Sequence, residues 1–159
     1  MFIGAAYLAS ERHVGDLHAG APELRPEARF NRDITEITKR YNVTTDVLVV
    51  IAEATASGGI NPCRSTYTVE AQDNLHWYLE NIPGITKVIS LSSVAKRALS
   101  GYAEGNLKWT YLPHDERALA FATSVVDPTT GLLNEACSIL PIYVFTEDHK
   151  ATTISTVID

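Results

Sequence analysis

Val47-Leu48-Val49-Val50-Ile51-Ala52 is the stretch on which the fold class turns. A run of β-branched and aliphatic residues without polar alternation predicts a strand at the centre of a sheet, covered on both faces. Asp46 bounds it on one side and Ser57-Gly58-Gly59 on the other. Upstream, from Glu27 on, Phe30, Ile34, Ile37 and Tyr41 recur at helical spacing, with Arg32, Glu36 and Lys39 on the opposite side. That spacing predicts an amphipathic helix. Pro26 suits its first turn, where a missing N–H costs nothing, and Asn42 ends it.

Downstream, Tyr67, Ala71, Leu75, Tyr78, Leu79 and Ile82 form a second helical stripe, capped by Ser65 or Thr66 and stopped by Pro83-Gly84. Ile85 to Leu91 reads as a short strand, and Ser92 or Ser93 as the cap of a short helix through Leu99. Gly101 to Pro113 is an aromatic-bearing loop, His114 to Val126 a further helix, and Asp127-Pro128-Thr129-Thr130-Gly131 a turn. Ser138 to Phe145 is a strand whose Pro141 cannot donate to a ladder, which predicts an edge position or a bulge. Asp148 starts a last helix through Ala151, Ile154, Val157 and Ile158, inside which the sequence stops. This order predicts an α+β domain of the split βαβ (ferredoxin-like) type, with one strand missing. The expected division is an N-terminal arm over 1–26 and the domain over 27–159, with its C-terminal end cut from a longer chain.

The 159 residues suit one domain. With 45% hydrophobic and 20% charged residues, the chain is neither a disordered polar tail nor a lipid-embedded bundle. The net charge of -6 argues against nucleic acid and against an anionic membrane surface, both of which recruit clustered Lys and Arg. Met1 to Ala9 is apolar, but a spanning helix needs about 20 such residues. The run also lacks the basic start of a signal peptide. It reads as a core element or as the trimmed end of a membrane segment.

Few residue patterns point to chemistry. Ser93-Val94-Ala95-Lys96 matches S-x-x-K, but the S-D-N and K-T-G partners of that signature are absent, and a Ser-capped helix with a solvated Lys explains it. His13, His18, His76, His114 and His149 form no H-E-x-x-H or H-x-H. Asp148-His149 and His114-Asp115-Glu116 fall at expected helix starts, where acidic residues favour the helix dipole. Asn42-Val43-Thr44 is a formal glycosylation sequon, meaningful only in a secreted eukaryotic protein. Trp77, Tyr78, Trp109 and Tyr111 would line a binding surface or, as buried aromatics more often do, fill the core. Cys63 and Cys137 are far apart and outside any CxxC. They allow one disulfide or two free thiols, and the compartment decides between them.

Several stretches resemble one family. Val14 to Pro26, with Arg29-Phe30-Asn31-Arg32-Asp33 behind it, resembles the opening of a periplasmic loop in bacterial predicted exporters of the resistance–nodulation–division (RND) superfamily, in the MMPL-type branch. Ile82-Pro83-Gly84 with Val88-Ile89-Ser90-Leu91, Glu104 to Trp109, Gly131-Leu132-Leu133-Asn134 with Cys137, and Thr146 to Ala151 continue the match in order. The resemblance implies a porter-type domain, most like the second periplasmic loop, set between membrane helices of an inner-membrane protein. Met1 to Ala9 would then be a membrane-helix stub. The periplasm would favour a Cys63–Cys137 disulfide. No catalysis and no cofactor are implied. The implied partners are the membrane helices and other periplasmic loop of the same transporter, a hydrophobic small molecule or lipid, and potentially further copies of the chain. Two competing expectations are a free-standing periplasmic binding or adaptor module and a Ser/Lys or thiol hydrolase.

Overall fold

The computed structural model describes residues 27–41, 46–55, 59–148 and 150–158. The arm expected over 1–26, the sequon, His13, His18 and His149 lie outside the described residues. Among the described residues eight elements follow one another: helix α1 (Arg29–Arg40), strand β1 (Val47–Glu53), helix α2 (Thr66–Glu80), strand β2 (Ile85–Ile89), helix α3 (Leu91–Tyr102), helix α4 (Glu116–Thr123), strand β3 (Ile139–Thr146) and helix α5 (Ala151–Ile158). Short 3₁₀ turns occupy Pro62–Arg64, Leu107–Trp109 and Pro128–Thr130. The fold is α+β, built on a three-stranded antiparallel sheet of order β1-β3-β2.

Two strand placements differ from the sequence expectation. β3, and not β1, is central. The bonds Thr146 N–H to Asp46 O (3.0 Å) and Ala54 N–H to Ser138 O (2.9 Å) show that the even-numbered residues of β3 turn their backbone groups toward β1. The nitrogen of Pro141 therefore points toward β2, but β2 pairs no further than Ile89 opposite Tyr143. Pro141 thus sits in a central strand at a level where no neighbour asks it for a hydrogen bond.

β1, read as a covered central strand, is an edge strand with one open face. Its Leu48, Val50 and Ala52 stand opposite Val144, Ile142 and Leu140 on the inner face. Val49 and Ile51, on the other face, are 48% and 62% exposed. Two hydrophobic clusters hold the inner side. In one, Leu79, Val88, Ile142 and Val144 are buried together, with Leu48, Val50, Leu75 and Val157 packed against them. Helices α2 and α5 thus cover the same face. In the other, Cys63, Leu91, Val126, Leu132, Leu133, Cys137 and Leu140 are buried at the opposite end of the strands.

Local chemistry sets the helix ends. Ser65 accepts from Thr68 N–H at the start of α2. Asp115 accepts from Arg117 and Ala118 N–H at the start of α4. α3 begins earlier than its periodicity suggests, because the cap is Ser90, not Ser92 or Ser93. Ser90 Oγ accepts from Ser93 N–H while Ser93 Oγ returns to the Ser90 backbone, a reciprocal capping box. Gly131 ends the turn before β3 with φ of 75°, and a Cβ there would lie 2.7 Å from the Tyr143 hydroxyl, which donates to Gly131 O. Only glycine fits that close approach. α1 forms as its stripe predicts, braced by Arg29–Asp33 and Arg40–Glu36 pairs at i,i+4, but Phe30, Ile37 and Tyr41 remain exposed.

Candidate functional site

Three places gather the residues that the sequence singles out. The first is the cysteine pair. Cys63 lies within the Asn61-capped 3₁₀ turn, where Asn61 Oδ1 accepts from its N–H. Cys137 lies in the tight turn before β3, with φ of 55°. Their Cα atoms are 5.6 Å apart, and both sit at disulfide-bonding distance within a buried cluster. The pair spans 74 positions of sequence, linking the loop after β1 to the turn before β3. No free cysteine remains among the described residues, and thiolate chemistry has no group to use there.

The second place is a polar cluster between α2 and α3. His76 is 7% exposed. Its Nδ1 lies 2.9 Å from Ser90 Oγ, which lies 2.8 Å from Ser92 Oγ. Gln72 completes the inner row: its Oε1 accepts from Ser92 N–H and its Nε2 donates to Leu140 O. The other ring nitrogen, Nε2, stands 3.7 Å from Glu80. Burial pushes His76 below its ordinary value of 6.5, opposed by the nearby Glu80 and Asp73 carboxylates. Lys96 Nζ lies 2.6 Å from Asp73 Oδ1, a buried oxygen that accepts no well-aligned hydrogen bond, so the contact is ionic.

Serine, histidine and glutamate in a row invite a hydrolase interpretation, and the geometry opposes it. Ser90 is fully buried and already caps α3. Ser93 is engaged in the same cap, and Lys96 reaches Asp73 instead of Ser93. The S-x-x-K pattern is therefore part of a capping box followed by an ion-paired lysine, not the solvated lysine expected. A nucleophile needs an accessible oxygen and a base beside it; His76, Ser93 and Lys96 line one cleft of about 340 Å³, but Ser93 Oγ donates to Ser90 O and Lys96 is turned to Asp73. This cluster escaped sequence reading because its members lie on two helices. The usable hint was Ser90-Leu91-Ser92-Ser93 ahead of an apolar helix.

The third place is a cleft of about 590 Å³ between the end of β1 and the first half of α2. Ala52, Ala54, Tyr67, Ala71 and Leu75 supply its apolar wall, and Glu53 and Glu116 its charge. Small residues on both sides leave the space that a larger core would fill. The expected aromatic core is corrected here: Trp77, Tyr78, Trp109 and Tyr111 are all exposed, Trp77 by 67%. His114 is likewise exposed at the start of α4.

Among the described residues, no three His, Cys, Asp or Glu side chains gather to hold a metal ion. None of their helices is long and apolar enough to cross a membrane. The fold and its sites define an α+β domain with a buried cysteine pair and an open apolar cleft beside an edge strand. No family model, curated protein or solved structure matches the chain.

Proposed function

We propose that the chain is a periplasmic, porter-type domain of a proton-driven RND exporter of the MMPL-type branch, moving hydrophobic or lipid-like molecules. The order of the sheet is the observation that supports this most. β1 and β2 run in the same direction with β3 antiparallel between them, and α2 and α5 lie on one face. That order is the one expected of a split βαβ (ferredoxin-like) half, the unit that the porter resemblance implies. The Cys63–Cys137 pair fits an oxidising compartment.

In this role the domain performs no bond chemistry. Proton coupling belongs to ionisable groups in membrane helices, where charge is costly and functional. The present chain contributes walls: the cleft between β1 and α2 offers an apolar surface to a passing molecule, and displacement of α2 against β1 would widen or close it. A free-standing periplasmic binding module is the second reading, and the same cleft favours it.

Compartment is tested with a reporter inserted into the exposed turn Glu104-Gly105 of the parent protein, expressed in bacteria. Alkaline phosphatase, which needs disulfides to fold, is expected to be active there. Silent phosphatase with active β-galactosidase at the same point would contradict the periplasmic placement.

A further inference from the structure

The polar row between α2 and α3 is made of groups whose donors and acceptors can be counted. Ser90 Oγ accepts from Ser93 N–H at the cap of α3 and lies 2.9 Å from His76 Nδ1 and 2.8 Å from Ser92 Oγ. Ser92 N–H donates to Gln72 Oε1, and Gln72 Nε2 donates to Leu140 O in β3. Ser90 and Ser92 are 0% exposed. Among the described residues, Ser92 Oγ has no hydrogen-bonding partner but Ser90 Oγ. His76 lines the cleft between α2 and α3, and Gln72 lines the one between β1 and α2, so the row runs from one to the other.

A hydroxyl gives one proton and accepts two. His76 Nε2 stands 3.7 Å from the Glu80 carboxylate, which only accepts, so the single proton of the neutral ring belongs on Nε2. Nδ1 is then bare and takes the Ser90 proton, and Ser92 gives its own proton to Ser90 Oγ. In that arrangement every polar hydrogen of the row has an acceptor. A proton on Nδ1 reverses the direction. Nδ1–H then donates to Ser90 Oγ, Ser90 donates to Ser92 Oγ, and the Ser92 proton is stranded in a buried site. A buried donor without an acceptor is costly.

We infer that His76 is a proton-operated latch at the α2–α3 junction: neutral, it completes the row; charged, it forces Ser92 to turn and loosens both the cap of α3 and the Gln72 tie to β3. The acceptor next in the row is Gln72 Oε1, so the turn draws on the group that fixes α2 to β3 beside the apolar cleft. Burial opposes a charge on the ring; Glu80 and Asp73 of α2 favour it, and Lys96 and Arg97 of α3 oppose it. The balance lies below the ordinary 6.5. Thr110, on the loop side of the same cleft, is uncharged. The latch is therefore closed at neutral pH and released by acid. It uses contacts buried inside the fold and stands or falls apart from the exporter proposal.

Nitrogen NMR of the imidazole rings in the isotope-labelled 159-residue chain, combined with hydrogen exchange, tests it. At neutral pH the expected state of His76 is the Nε2–H tautomer with a bare Nδ1. As acid charges His76, the Ser93 amide should lose about fivefold of its protection, the worth of one capping bond, and the Gln72 side-chain amide signal should move in step. His76→Asn sets an amide carbonyl near the place of Nδ1, where it accepts the Ser90 proton and cannot charge. Its Ser93 and Gln72 signals should stay as they are at neutral pH. Ser92→Ala cuts the row between Ser90 and Gln72, so Ser93 should still respond to His76 while Gln72 no longer does. An Nδ1–H tautomer in the wild type overturns the inference, whatever the variants do. So does a Ser93 amide that stays protected while His76 titrates, or one that loses protection equally in His76→Asn. A Gln72 signal that follows His76 without the Ser92 hydroxyl overturns it too, as does a chain that unfolds as a whole before His76 takes up its proton.

Discussion

His76 couples three parts of the molecule through one ring. Its Nδ1 meets the cap of α3, its own helix packs on the sheet, and its Nε2 faces Glu80, with Asp73, Lys96 and Arg97 around it. Because burial depresses its proton affinity in the folded state, the unfolded chain takes up the proton first. Stability from this residue is therefore complete above 6.5, falls as the pH drops below that value, and levels off once the folded imidazole is also protonated. Urea unfolding across that window should show the fall, and His76→Gln should flatten it. A stability that rises on acidification there would contradict the assignment. The neighbouring Ser90 carries more than a cap. Ser90→Ala removes a capping oxygen, worth about 1 kcal/mol, and also strands the buried Nδ1, which costs roughly 1–3 kcal/mol more. Asp115→Ala, at the exposed cap of α4, should cost only about 1 kcal/mol. Equal losses in the two variants would show that the buried chain of hydroxyls contributes nothing.

Among the elements, those with a strong period were the most legible. The stripes Phe30–Tyr41 and Tyr67–Ile82 became α1 and α2 within a few residues of their expected ends. The run Val47–Ala52 became a strand, but its position did not follow. A continuous apolar run reads as doubly covered, whereas among the described residues one face is open and the outer edge unpaired. Pro141 misled for a related reason. Whether a missing N–H matters depends on which neighbour it faces, and that is set by register, which a local pattern does not contain. The polar cluster was illegible because its members, Gln72, His76, Ser90 and Ser92, converge only after α2 and α3 pack. Exposed Trp77, Tyr78, Trp109 and Tyr111 show the converse: composition counts aromatics toward a core without saying which side of a helix Trp77 and Tyr78 take, or that Trp109 and Tyr111 fall in a short turn and the loop after it.

At the scale of the whole molecule, the Cys63–Cys137 link ties the loop after β1 to the turn before β3, across 74 positions. In the chain-entropy picture a closed loop of that size stabilises the fold by about 4 kcal/mol. Denaturant unfolding with and without reductant should reveal a loss on the order of 2–5 kcal/mol, and Cys63→Ala with Cys137→Ala should match the reduced protein. Stability unchanged by reductant would mean the two sulfurs are not bonded in solution. The same link bears on compartment, since such a bond persists where thiols are oxidised. The central claim, a water-facing domain carried by an inner-membrane exporter, is tested most directly by the reading frame that encodes the chain. It predicts stretches of about 20 apolar residues on both sides of these 159 residues, the length of membrane-spanning helices. A frame that encodes this domain behind a cleavable secretion signal and nothing else would contradict it.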